Sequence, residues 1–247
     1  MQGNNSQSNS TEVKPRGLRA WWENFIYYYK WHAVIAAVLI ITVVVCTVQM
    51  CSRTSYDAYE LYAGGSYIGM TSSETTGESD YSLMCSALAQ YAEDTDENGS
   101  RIVNLKTLYL PSEEQIAKIE SEPERDGPYS LIASDHQLFR DFINTGEYYV
   151  YFVAEHLYLE WTGSQQPFLE VSPYLAEGEE YEIAEGGMGV YLRSTELKDK
   201  AGFSAMGEDT VMCIRMYSEF SSIFSDAENE KVFSESEKLF KKLLAEG

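Results

Sequence analysis

The longest apolar run lies between Lys30 and Arg53, 22 consecutive residues without a Lys, Arg, Asp or Glu. From Ala33 to Val48 it is almost wholly aliphatic and shows no polar period. At about 1.5 Å per helical residue, residues 33–52 cover about 30 Å, the thickness of a hydrocarbon core. The pattern predicts a transmembrane helix over 33–52, because a soluble core helix of this kind would need protein on every side. Trp21, Trp22, Tyr27, Tyr28, Tyr29 and Trp31 precede the run, where amphipathic rings favour the membrane interface. Residues 15–32 are expected to form a short amphipathic helix along the inner surface. Residues 1–14, rich in Asn, Gln and Ser with Val13 as the one aliphatic side chain, are expected to be a disordered tail.

Beyond Arg53 the pattern changes to alternating strand and helix periods. Tyr56 to Tyr62 reads as a strand stopped at Ala63-Gly64-Gly65-Ser66, with Tyr67 and Ile68 resuming a second short one. Tyr81, Met84, Cys85, Leu88, Tyr91 and Ala92 repeat at helical spacing from Asp80. Arg101 to Leu110 is the next strand, and Ser112 with Gln115 forms a capping box for a short helix. Ser134 with Gln137 reads as another capping box, opening a helix that carries Leu138, Phe139, Phe142 and Ile143 and closes at Gly146. Tyr148 to Val153 is a continuous apolar strand of the doubly buried kind. Strands over Gly189 to Arg193 and Thr210 to Tyr217 and a last helix over Asp226 to Ala245 complete the series. The expected architecture is α/β: a transmembrane helix, then one extracytoplasmic, three-layer-like domain over 54–247 with a mixed, largely parallel sheet.

Charge divides the chain at the same point. Residues 1–53 hold five Lys/Arg against two Asp/Glu, net +3, and residues 54–247 hold 13 against 37, net −24. Lys14, Arg16, Arg19 and Lys30 precede the span and Arg53 alone follows it closely, which places the N-terminus in the cytoplasm and the domain outside the cell membrane. No small-x-small site follows the span, so an anchor is favoured over a cleaved leader, and Met50 and Val45 stand where lipoprotein processing at Cys51 or Cys46 needs a small residue. An acidic domain of this strength repels polyanions and excludes nucleic acid as a partner, while it favours cations and basic partners.

Ligands of a largely parallel sheet bind beyond the carboxyl ends of its strands. Three such exits are Gly64, Gly65 and Ser66; Ser112; and Glu155 with His156. Small residues admit close backbone approach and hydroxyls bond polar groups, although a turn and a helix cap use the same residue types. Asp94, Asp96 and Asn98 in DTDENGSRI match the first half of a calcium loop, but Leu105 stands where the bidentate Glu belongs, so only a weak Ca²⁺ site is expected. Cys85 and Cys213 lie in apolar patterns and are a candidate disulfide in an oxidising compartment. No nucleophile elbow, Walker loop, HExxH or CxxC occurs. No cofactor is expected.

The opening strand with its Gly64-Gly65-Ser66 turn, the helix from Asp80, the strand over 101–110 and the unit FINTGEYYVYFVAEHLYLEW together resemble one lobe of type 2 periplasmic-binding-protein-like folds. The aromatic stretch WWENFIYYYKWH ahead of the span is similar to that of bacterial single-pass proteins displaying such a domain. The resemblance implies solute binding, and 194 residues supply one lobe or a reduced form. The expected function is a membrane-tethered binding or interaction module for a small solute or another membrane protein. The alternatives are a hydrolase or transferase at Glu155 and His156, and a structural domain without a ligand.

Overall fold

The computed structural model describes residues 17–51, 56–69, 78–121, 129–176, 178–219 and 224–246. The expected tail over 1–14, Arg53 and residues 122–128 lie outside the described residues. The chain divides into two compact units, Met1–Thr54 and Ser55–Gly247.

The first unit is built on one helix, α1 (Leu18–Cys51), of 34 residues. No Gly or Pro interrupts it, so the expected inner-surface helix and the span form a single rod about 51 Å long. Within it Tyr27–Val48 is long and apolar enough to cross a membrane, and none of that stretch is buried in protein. This stretch starts six residues ahead of Ala33 and stops four residues short of Ser52. The two threonines in the apolar stretch close their own hydroxyls, Thr42 Oγ1 onto the Val38 carbonyl at 2.9 Å and Thr47 Oγ1 onto that of Val43 at 2.8 Å. They therefore present no unpaired donor to hydrocarbon. Trp21, Phe25 and Tyr29 stack at four-residue intervals, with ring centroids 5.6 and 5.3 Å apart.

The second unit is a three-layer α/β domain. Its elements are β1 (Ala58–Gly64), α2 (Asp80–Tyr91), β2 (Val103–Tyr109), α3 (Glu113–Ser121), α4 (Tyr129–Thr145), β3 (Val150–Ala154), α5 (Glu155–Ser164), β4 (Val190–Tyr191), β5 (Thr210–Ile214) and α6 (Asp226–Glu246). The sheet order is β2-β1-β3-β5-β4. β1 runs parallel to β2 and β3, whereas β5 runs antiparallel to β3 and β4. Alternation along each strand supplies two cores. Tyr62, Leu105, Val150, Phe152 and Met212 face Met84 and Leu88 of α2 and Phe240 and Leu243 of α6. Leu61, Leu108, Tyr151, Val153 and Val211 face Phe139 and Ile143 of α4 and Leu157, Tyr158 and Trp161 of α5. Every residue of β3 is buried, as its unbroken apolar run requires.

Local differences from the pattern have local causes. β1 starts two residues after Tyr56 and continues through Gly64. Tyr67 and Ile68 form no strand; Ile68 drops into the core and Tyr67 packs edge-on to Tyr109. Ser134 opens no helix, because α4 has begun at Tyr129 and the Ser134 hydroxyl bonds back to the Leu131 carbonyl. The strand expected over 189–193 shrinks to Val190–Tyr191 and turns into a 3-10 helix at Leu192. β5 stops at Ile214 because the buried Arg215 turns its guanidinium onto the Ile143 and Asn144 carbonyls and caps the end of α4. β2 is an edge strand, and one of its amides meets a side chain of the domain: Tyr109 N–H donates to Asp135 at 2.8 Å.

Candidate functional site

The carboxyl ends of β2 and β3 open onto a cleft of about 700 Å³. Each strand delivers its residues by ending abruptly. β2 runs into Pro111, and Ser112 then starts α3: Ser112 N–H donates to Gln115 Oε1 at 2.8 Å and Gln115 N–H donates to Ser112 Oγ at 3.3 Å. The expected capping box is thus formed in full, and it occupies the Ser112 hydroxyl. β3 passes into α5 without a loop, so Glu155 and His156 stand on the first turn of that helix. β5 runs the other way and brings its amino end to the same place, where the Asp209 carbonyl accepts from Glu155 N–H at 3.0 Å. α4 adds His136 from the side.

The structure therefore brings together Ser112, Glu155 and His156 and adds His136, Glu113, Glu114, Glu160 and Asp209 to them. Gly64, Gly65 and Ser66 do not line the cleft. A Cβ on Gly65 would lie 2.1 Å from Gln115 Oε1, and Ser66 N–H donates to the Tyr62 hydroxyl at 3.3 Å, so this exit closes on the capping box and on its own strand. Asp209 was hidden from sequence reasoning by distance, since only the reversed direction of β5 carries it to the parallel strand ends, and the packing of α4 decides that His136 faces the same cleft.

Five acids and two histidines line the cleft, with no Lys or Arg among the lining residues. Partial burial lowers the His156 pKa below the usual imidazole value, while Asp209 and Glu160 pull it back up and the His136 ring lowers it further. The Leu110 backbone also favours the His156 cation. Glu155 is turned away from His156, because its carboxylate accepts from the Tyr191 hydroxyl. Burial and the Glu155 charge push that hydroxyl up to about 12. The Arg193 guanidinium lies over the Tyr191 ring at 3.9 Å and pairs with Glu182, which fixes the whole chain of contacts. A carboxylate held in this way does not orient an imidazole for proton transfer.

The expected calcium loop is a self-capped turn with one added acid. Asp94 accepts from Asn98 N–H at 3.1 Å and Gly99 N–H at 2.8 Å, and Asp96 accepts from the same Asn98 N–H at 3.2 Å. Asn98 turns its side chain to Asp96 and Ser100, so it takes no place in the carboxylate group. Asp57, at the start of β1, joins instead: carboxylate oxygens of Asp57, Asp94 and Asp96 lie within 4.8 Å of one another. Asp57 itself is buried and accepts from Thr95 N–H, Thr95 Oγ1 and Ile102 N–H at 2.8 to 2.9 Å. Cys85 and Cys213 are free thiols, which corrects the expected disulfide. They belong to opposite faces of the sheet, Cys85 packing with the α2 side and Cys213 with the α4–α5 side.

No protein-family model, curated protein or solved structure matches the chain.

Proposed function

We propose that the chain is a single-pass membrane protein with a cytoplasmic N-terminus, and that its domain outside the membrane binds a positively charged solute or the basic side chains of a partner protein. The cleft carries this reading: Glu113, Glu114, Glu155, Glu160 and Asp209 surround about 700 Å³ that no Lys or Arg among the described residues lines. A ligand bearing ammonium or guanidinium groups meets acceptors there without displacing an internal cation. The apolar helix α1 holds the domain at a membrane, which raises its effective concentration for neighbouring proteins. The order of strands and helices and the position of the cleft support the architecture of a single binding-protein lobe. Catalysis by Ser112 and His156 is the weaker reading, since the hydroxyl caps α3 and Glu155 is committed to Tyr191.

The test is thermal unfolding of the full-length protein in nanodiscs against lysine, spermidine, a short basic peptide, Ca²⁺, neutral sugars and acidic amino acids. A ligand at about 100 times its Kd stabilises the folded state by about 2.7 kcal/mol. A concentration-dependent rise with the organic cations, lost in Glu160→Gln and Asp209→Asn, supports the reading. An unchanged midpoint with every cation, or an equal rise with neutral sugars, rejects it. A rise with Ca²⁺ that disappears in Asp94→Asn assigns metal binding to the Asp57, Asp94 and Asp96 group.

A further inference from the structure

Glu60 occupies the middle of β1, between Leu105 of β2 and Val150 of β3, and has no exposed surface. Strand alternation puts it on the same face as Ala58 and Tyr62, beneath α2 and α6. Both carboxyl oxygens are buried and neither has a hydrogen-bond partner among the described residues. The buried carboxylates of Asp57 and Asp135 contrast with it, being satisfied by Thr95 and Ile102 and by Tyr109. α2 brings Tyr81 and Cys85 near Glu60, and both respond to its charge. α6 turns Phe240 and Leu243 to this core, and the flanking strands contribute Leu105 and Val150, none of which ionises. Burial holds the Glu60 pKa well above the usual carboxyl range, and its own backbone amide opposes this to a smaller extent.

We propose that Glu60 is a proton-dependent latch for α2: with the proton on, the helix closes over β1, and with the proton lost, water enters beneath α2 and the helix lifts. A neutral carboxyl is a modest polar group that an apolar site accommodates, whereas a carboxylate needs water or a partner, and the described residues give it no hydrogen bond, Tyr81 and Cys85 being engaged with each other. The strand cannot yield, since β1 is laddered on both sides to β2 and β3. α2 is held by packing, by the Ser79 cap and, just past its end, by the exposed pairing of Glu93 with Lys242. It is therefore the element that gives way. The folded chain keeps this proton to higher pH than the unfolded chain does. The stabilisation is accordingly complete below about 4.5, the ordinary carboxyl value, and is lost as pH rises through the folded value.

Hydrogen exchange of the full-length protein in nanodiscs between pH 5.5 and 8.0, corrected for intrinsic exchange, tests this. The opening constant of α2 is expected to rise by up to tenfold per pH unit relative to α4 and α5, the slope of one proton. Glu60→Gln flattens that rise, and Glu60→Met does the same should the glutamine variant fail to fold. Tyr81→Phe retains it. A pH-independent α2 in the wild type, or a rise that persists in Glu60→Gln or Glu60→Met, overturns the proposal.

Discussion

Asp135, Arg215 and Asp57 show how single buried side chains finish backbone groups that the sheet and helices leave open. Asp135 takes the Tyr109 N–H from a position 26 residues away, and Arg215 Nε donates to the Ile143 carbonyl at 2.6 Å across 72 residues. Asp135→Ala leaves a buried donor unpaired and is expected to lower stability by about 1–3 kcal/mol in urea unfolding. Tyr151 is the opposite case, a fully buried hydroxyl with no hydrogen-bond partner among the described residues. Tyr151→Phe is therefore expected to leave the urea midpoint unchanged or to raise it. His156 sets an acid-side limit. Its folded pKa lies below the unfolded value near 6.5, so the folded state resists a proton that the unfolded state accepts. Stability from this residue is full above about 6.5 and declines as pH falls through the folded value. Melting curves from pH 7.5 to 5 should show a smaller acid-side loss in His156→Gln than in the wild type. Of these side chains the sequence marked His156, beside an abrupt strand end. It could not mark Asp135 or Arg215, because each acts on a partner far along the chain.

At the scale of elements, periodicity was most informative where one face dominates. α2, α6 and β3 fall where their apolar residues place them, and the Ser112–Gln115 box caps α3 as its spacing requires. The Ser134 box misled because a serine inside a helix satisfies its hydroxyl on the preceding turn as readily as at a cap. The seat of α2 depends on Gly202, whose φ of +90° lies in the region that favours glycine. A Cβ there would stand 2.6 Å from Met84 N and 2.9 Å from the Asp80 carbonyl. Gly202→Ala should cost about 1–3 kcal/mol by urea unfolding and loosen α2 before other helices. For α1 the decisive test is a charge in the apolar stretch. Leu39→Lys adds about 2.5–3.5 kcal/mol to insertion, and the protein is expected to shift from the membrane fraction into the alkaline extract.

For the molecule as a whole, the division of charge and apolar length was legible from the sequence, since neither depends on contacts. The cleft was legible only in part. Ser112, Glu155 and His156 could be placed at strand exits, but Asp209 depends on the antiparallel entry of β5 and His136 on the packing of α4. A net charge of −24 over residues 54–247 makes the domain repel itself. Raising NaCl from 0.01 to 0.5 M should therefore raise its melting temperature, while any binding of the basic peptide proposed for the cleft should weaken. The capped rim of β2 bears on dense display. Chains fixed to one surface meet often, and an open strand rim under such crowding invites neighbours to extend the sheet from molecule to molecule. Asp135 occupies one of the amides through which that extension would begin. A neighbouring chain that sought to extend the sheet at this edge would find the Tyr109 amide already taken.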